Sequence, residues 1–177
     1  MPASHVQVGW NTVELQYLNQ YNTNRVGLHT YTDEGTGEQF LYTQFEAFHC
    51  YHVFPVFDQP SLKAKMRLTV LCPEDWLSVS NSIERHFLGQ SEAQHVLERH
   101  DIWQLAKFLN NTYRVYEFEQ TPRISCYLYA VCAGPFETFE DNDPMYPPQR
   151  VYVRKSMIDY MRHEMVFGVT KTTIDQF

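Results

Sequence analysis

At 177 residues the chain is long enough for one ordinary domain with a sizeable core, and 44% hydrophobic with 20% charged residues is far from the composition of a disordered chain. Lys and Arg total 14 against 21 Asp and Glu, a formal charge of -7, which excludes a general binder of nucleic acids or acidic membranes because no basic stripe offsets it. No apolar run approaches the ~20 residues of a transmembrane span, and Met1 to His5 shows neither the basic nor the apolar region of a secretory signal, so the expected location is cytoplasmic.

Twelve Tyr, twelve Phe and three Trp favour strands and aromatic packing. Residues 11–18 alternate apolar and polar and predict a strand, whereas 19–37, rich in Asn, Thr, Asp and Gly, predicts loop and turns. A strand is expected over 40–45. A compact aromatic segment over 48–54 stops at Pro55, and Asp58-Gln59-Pro60 signals a turn. Residues 62–71 place Leu62, Ala64, Met66, Leu68 and Val70 on one face and Lys63, Lys65, Arg67 and Thr69 on the other, the pattern of a half-buried antiparallel strand. A short strand is expected at 76–79. Over 91–109 the period changes: Val96, Leu97, Ile102, Leu105, Ala106 and Leu109 recur at helical spacing, with Ser91 and Glu92 suited to the cap. Strands are expected at 113–118, 124–132 and 150–154, an acidic exposed loop at 140–148, and a helix over 158–177 that stops in mid-pattern. The sum is mainly β, with one inserted helix and one terminal helix.

Cys50, Cys72, Cys126 and Cys132 form no CxxC pair. Their even number permits disulfides, while their apolar neighbours favour buried free thiols in a reducing compartment. There is no Gly-rich phosphate loop and no nucleophile elbow. His163-Glu164-Met165-Val166-Phe167 begins like a zinc helix, but that chemistry needs a second His four residues on, and Phe167 cannot ligate zinc. The chain is therefore assigned no metal ligands and no catalytic residues. His49 and His52 would share a face of a helix and could hold two corners of a metal site, or they are polar members of an aromatic cluster; two ligands do not close a tetrahedral site. Gln44 and Glu46 are alternate residues of a predicted strand, so both side chains point one way. A carboxylate beside an amide receives an ammonium group through charge and hydrogen bonds; the same spacing also describes a solvent-facing polar edge.

Several ordered motifs resemble one family. Tyr42-Thr43-Gln44-Phe45-Glu46-Ala47, then Phe54-Pro55-Val56-Phe57-Asp58-Gln59-Pro60-Ser61-Leu62-Lys63-Ala64, resembles the signature of the aminopeptidase-N family of zinc metallopeptidases. Val79-Ser80-Asn81, Thr121-Pro122-Arg123-Ile124-Ser125-Cys126-Tyr127-Leu128, Ala133-Gly134-Pro135-Phe136 and Val151-Tyr152-Val153-Arg154-Lys155-Ser156 continue the likeness, and Val26-Gly27-Leu28-His29 resembles a loop of one subgroup. Val56 stands where the family has Cys, Cys126 where it has Thr, and Tyr51-His52 where it has a basic pair.

The resemblance implies the family's N-terminal domain, a saddle-like antiparallel β-sandwich over residues 1–155 without its first strands, with a linker and the first helix of a truncated catalytic domain at 156–177. It implies that Gln44 and Glu46 bind the free α-amino group of a peptide substrate, so that the partners are peptide N-termini and the missing catalytic domain. Zinc would belong to the full-length parent and not to this chain, which alone would be inactive. The alternative is a non-catalytic peptide-binding or regulatory β-domain derived from the family.

Overall fold

The computed structural model describes residues 6–100, 107–110 and 112–177. Among these residues, nine strands make three antiparallel sheets. The first sheet has four strands in the order β1-β2-β7-β4, where β1 is Gly27–Thr32, β2 Gln39–Gln44, β4 Leu77–Ser80 and β7 Val131–Gly134. β3 (Thr69–Pro73), β6 (Tyr113–Phe118) and β5 (Glu84–Leu88) form the second sheet in that order, and β8 (Glu137–Asp141) pairs with β9 (Gln149–Val153) in a hairpin. Helix α1 is Gly89–Arg99 and helix α2 is His163–Ile174. The chain is thus mainly antiparallel β with few helices, as its alternation predicts.

The first hairpin turns where it does because the Asp33 carboxylate accepts the backbone N–H groups of Gly35 (2.9 Å) and Thr36 (3.2 Å), while Gly37 takes a φ of +72° that a side chain would resist. Register then runs from Gly27↔Gln44 to Thr32↔Gln39. On β7, Gly134 makes room for Phe40: a Cβ there would collide with that ring. Phe40 is buried and packs on Phe136 with ring centroids 4.9 Å apart. The Ala-Gly-Pro-Phe motif is therefore a packing solution.

One face of the second sheet is covered by α1. Ala93, Val96 and Leu97, at helical spacing, bury against Tyr113 and Val115, with Leu71 and Phe87 completing the cluster. Cys72, Tyr116 and Phe118 form a second cluster with Leu68, Val70 and Trp76. A third, of Phe45, Cys50, Cys126 and Tyr129, lies beneath the end of β2.

Several elements differ from the sequence expectation. Residues 11–18 form no ladder and are exposed, although they alternate. β1 lies inside the expected loop 19–37, and Gly27, Leu28 and His29 belong to that strand. Only the end of the expected strand 62–71 is paired, with an isolated bridge between Ala64 and Ile124. β5 has no counterpart in the expectation, because Glu84, Arg85 and His86 are polar. α1 begins and ends earlier than predicted. Its cap residue is Leu88, whose N–H donates to the Glu92 carboxylate at 2.9 Å, and Ser91 makes no cap bond. Ile102, Leu105 and Ala106 lie outside the described residues. The expected strand 124–132 is a 3-10 turn, Cys126–Leu128, and then β7. The acidic stretch from Glu140 begins as the end of β8. The expected terminal helix is a 3-10 segment, Lys155–Tyr160, and then α2.

Candidate functional site

β2 is an inner strand, hydrogen-bonded to β1 and β7, and Gln44 is its last residue. Phe45 turns inward and is buried, which sends its neighbours Gln44 and Glu46 outward; both are exposed. The Glu46-Ala47 peptide is cis. A turn then closes through the His49 N–H, which donates to the Phe45 carbonyl at 2.9 Å, and leads into the 3-10 turn Cys50–His52.

That turn has a firm base. Cys50 is fully buried beside Phe45, Cys126 and Tyr129. Asp58 joins the layers: its carboxylate accepts the Tyr51 N–H at 3.0 Å and the Cys126 thiol at 3.1 Å. Phe54 meets Phe45 edge to face at 5.9 Å. Burial pushes the thiols of Cys50 and Cys126 up, so they act as small apolar groups; all four cysteines are free. Among the described residues, neither the Gln44 nor the Glu46 side chain has a hydrogen-bond or ion-pair partner. An amide and an uncompensated carboxylate thus stand on an anchored turn at the rim of a sheet, a combination suited to a cation that donates hydrogen bonds.

The two histidines nearby form part of an aromatic cluster. The rings of His49 and His52 are 5.5 Å apart, with Phe48 5.2 Å from His49 and Tyr51 4.3 Å from His52. Among the described residues no three His, Cys, Asp or Glu side chains converge as a metal site. His163 stacks on Phe139 at 4.2 Å with the rings 8° apart, and Phe167 is buried against it. The residues of this helix do not fit zinc, because the position that must carry the second ligand is an aromatic core residue.

A second polar constellation, between Asp33 and the Val151–Ser156 motif, lies at the opposite end of the β1–β2 hairpin. Asp33 is buried, accepting the Ser156 hydroxyl at 2.6 Å and the Arg154 guanidinium at 2.8 Å. The Ser156 hydroxyl, then the N–H groups of Gly35 and Thr36 and the Arg154 charge, hold its carboxyl below the usual range against the opposing effect of desolvation. Arg154 also lies over the Tyr31 ring at 4.8 Å, and Lys155 pairs with Glu38 at 2.7 Å. Asp33 reads locally as a turn residue; its partners lie more than 120 residues away.

Residues 2–128 match the family model described as the Peptidase M1 N-terminal domain. Aminopeptidase N of Streptomyces lividans is 31% identical over 160 residues, covering 89% of this chain and 16% of that protein. Aminopeptidase N of Canis lupus familiaris is 28% identical over 148 residues, 83% of this chain and 13% of that protein. Aminopeptidase M1 of Arabidopsis thaliana is 25% identical over 171 residues, 96% and 17% respectively. The matched region therefore spans 13–17% of the length of these relatives.

Proposed function

The chain belongs to the peptidase M1 family through its N-terminal domain, and from that premise we propose that it caps the active site of a zinc-dependent aminopeptidase, with Gln44 and Glu46 holding the substrate's free α-ammonium group. The observation that carries this reading is the exposed, unpartnered Gln44–Glu46 pair on an anchored turn. The names of the relatives, aminopeptidase N and aminopeptidase M1, support it.

The chemistry is selection by charge. A peptide's first residue carries an ammonium group with three donors, and Glu46 with Gln44 offers a carboxylate and an amide oxygen. A charge-assisted hydrogen bond of this kind contributes about 1.5–3 kcal/mol, and an internal or acetylated amine forfeits it. Zinc, where bound, would polarise the scissile carbonyl and activate water. Its ligands would lie in a catalytic domain outside this chain, since the helix that begins at His163 has Phe167 where the second ligand must stand. The domain boundary near Lys155 and the cytoplasmic location belong to the same reading, the latter supported by the four free thiols.

The test is binding by the chain itself. Free-amine peptides titrated into labelled protein should shift the Gln44 and Glu46 signals with an affinity near 1 mM, equivalent to about 4 kcal/mol. Glu46→Gln should weaken this at least fivefold, and N-acetylated peptides should not bind. Equal shifts with acetylated peptides would refute the ammonium role. The isolated chain with added zinc should not hydrolyse aminoacyl anilides. Binding without any rescue of activity by a catalytic domain supplied in trans would favour the non-catalytic, regulatory relative.

A further inference from the structure

The chain carries both an unpaired strand sequence and an unpaired strand edge. Residues 11–18 put Val13, Leu15 and Tyr17 on one face and Thr12, Glu14 and Gln16 on the other. These three apolar side chains are 53%, 57% and 56% exposed, and the segment makes no ladder. Its base is fixed, because the Asn19 amide donates to the carbonyls of His52 and Val53.

The edge is β3, which among the described residues pairs with β6 alone. The Phe118 N–H donates to the Leu68 carbonyl, in line with the register Val70↔Tyr116 and Cys72↔Arg114. Leu68, Val70 and Cys72 therefore aim their backbone groups at β6, and Thr69 and Leu71 aim theirs at the open side. Along that edge lies a cavity of about 540 Å3, lined by Leu28, Leu41 and Ala133 of the first sheet and by Thr69–Pro73 and Trp76, so that it borders the Val70 and Cys72 side and also Thr69 and Leu71. Tyr21, just beyond the unpaired segment, already lines it. The edge is also charge-marked. Lys63, Lys65 and Arg67 precede β3 on the Thr69 face and, among the described residues, have no ion-pair partner.

We propose that residues 11–18 are an exchange strand that pairs with the open β3 edge of a second copy of this chain. Its apolar face (Val13, Leu15, Tyr17) fits the cavity side that Val70 and Cys72 occupy. Its polar face, with Glu14, then falls on the side of Lys65 and Arg67, so both faces match in a single register. Because strand and edge belong to one chain, two copies complete each other about a two-fold axis and the assembly closes. An added strand also covers an edge that would otherwise template open-ended association.

The experiment is sedimentation of the whole chain, whose monomer is 21.0 kDa. Wild type should sediment as a dimer at tens of micromolar. Val13→Lys with Leu15→Lys should weaken dimerisation at least tenfold without changing circular dichroism, since both residues are exposed outside any sheet. Thr69→Pro should do the same: its N–H faces the open side, so the β3–β6 ladder survives. Each variant retains the half that the other lacks, so mixing them should restore a heterodimer. A monomeric wild type, a double-lysine variant that still dimerises, or a mixture that stays monomeric would each overturn the proposal. Formation of unlimited polymers by the wild type would overturn it as well.

Discussion

The turn after β2 and helix α2 lie at opposite extremes of attachment. Phe45, Cys50 and Cys126 are all but removed from solvent, and Asp58 ties two chain segments together beneath them. In α2 Phe167 alone is buried, while Met165 and Val169 are exposed. Besides the stack of His163 on Phe139, the attachments of α2 are polar: Lys171 reaches Asp141 at 2.6 Å and Asp143 at 2.9 Å, and the Tyr146 hydroxyl donates to Asp175 at 2.8 Å. The bond to Lys171 keeps the carboxyls of Asp141 and Asp143 below their usual range, and those carboxylates raise the lysine. One region is held mainly by exclusion of water, and the other mainly by charges that salt and pH weaken.

Four measurements test how deep that contrast runs. The largest effect belongs to Phe45→Ala, which removes a buried aromatic from beneath the candidate site. It should cost about 4 kcal/mol in urea unfolding and abolish the peptide-induced shifts at Glu46. A loss under 1 kcal/mol would mean that the turn does not depend on its base.

Next is Asp33→Asn, which leaves Arg154 without its carboxylate. The melting temperature at pH 7 should fall by roughly 5–10 °C. The sign of the pH effect comes from the lowered carboxyl. Its contribution is complete above the ordinary carboxylate value near 4 and is lost as pH falls through the lower native value. Wild type should therefore lose stability below about pH 4 more steeply than the variant, and parallel acid limbs would rule this out.

Smaller still is Lys171→Met. Amide exchange in α2 should quicken about tenfold while Val115 and its neighbours stay protected, and 1 M salt should quicken exchange in the wild type alike. Uniform quickening throughout the chain would show that α2 and the body open together. Least of all, His163→Phe should change stability by about 1 kcal/mol or less and leave zinc content unchanged, because the ring serves as one half of a stack on Phe139. Bound zinc that disappears in the variant would reverse the reading of that helix.

The fold is most legible in the sequence where pairing and burial coincide. β2, β6 and β9 fall close to their expected places because each is rich in aromatic and β-branched residues and each buries side chains. β1 is hidden by the Asn, Thr and Gly around it, and its Gly27 and His29 are buried where β2 returns alongside. Residues 11–18 show the reverse: alternation states readiness to pair, and the partner is a non-local matter. Of the candidate site, the spacing of Gln44 and Glu46 is visible, but periodicity alone fits a plain polar edge equally well. Their exposure is set by Phe45, and Phe45 is fixed by Cys126 and Tyr129, some 80 residues distant in sequence. Nothing near Asp33 in the sequence announces Arg154 or Ser156.

The Asp33 cluster has a mechanical consequence. The β1–β2 ladder is about 20 Å long, at some 3.3 Å per residue, and β7 holds it within the first sheet. At one end Asp33 clamps the chain as it leaves β9; at the other, Gln44 opens onto Glu46. The chain beyond Arg154 cannot rotate against this sheet without breaking the clamp. One sheet thus anchors both the exit of the chain and the pair proposed to hold the substrate.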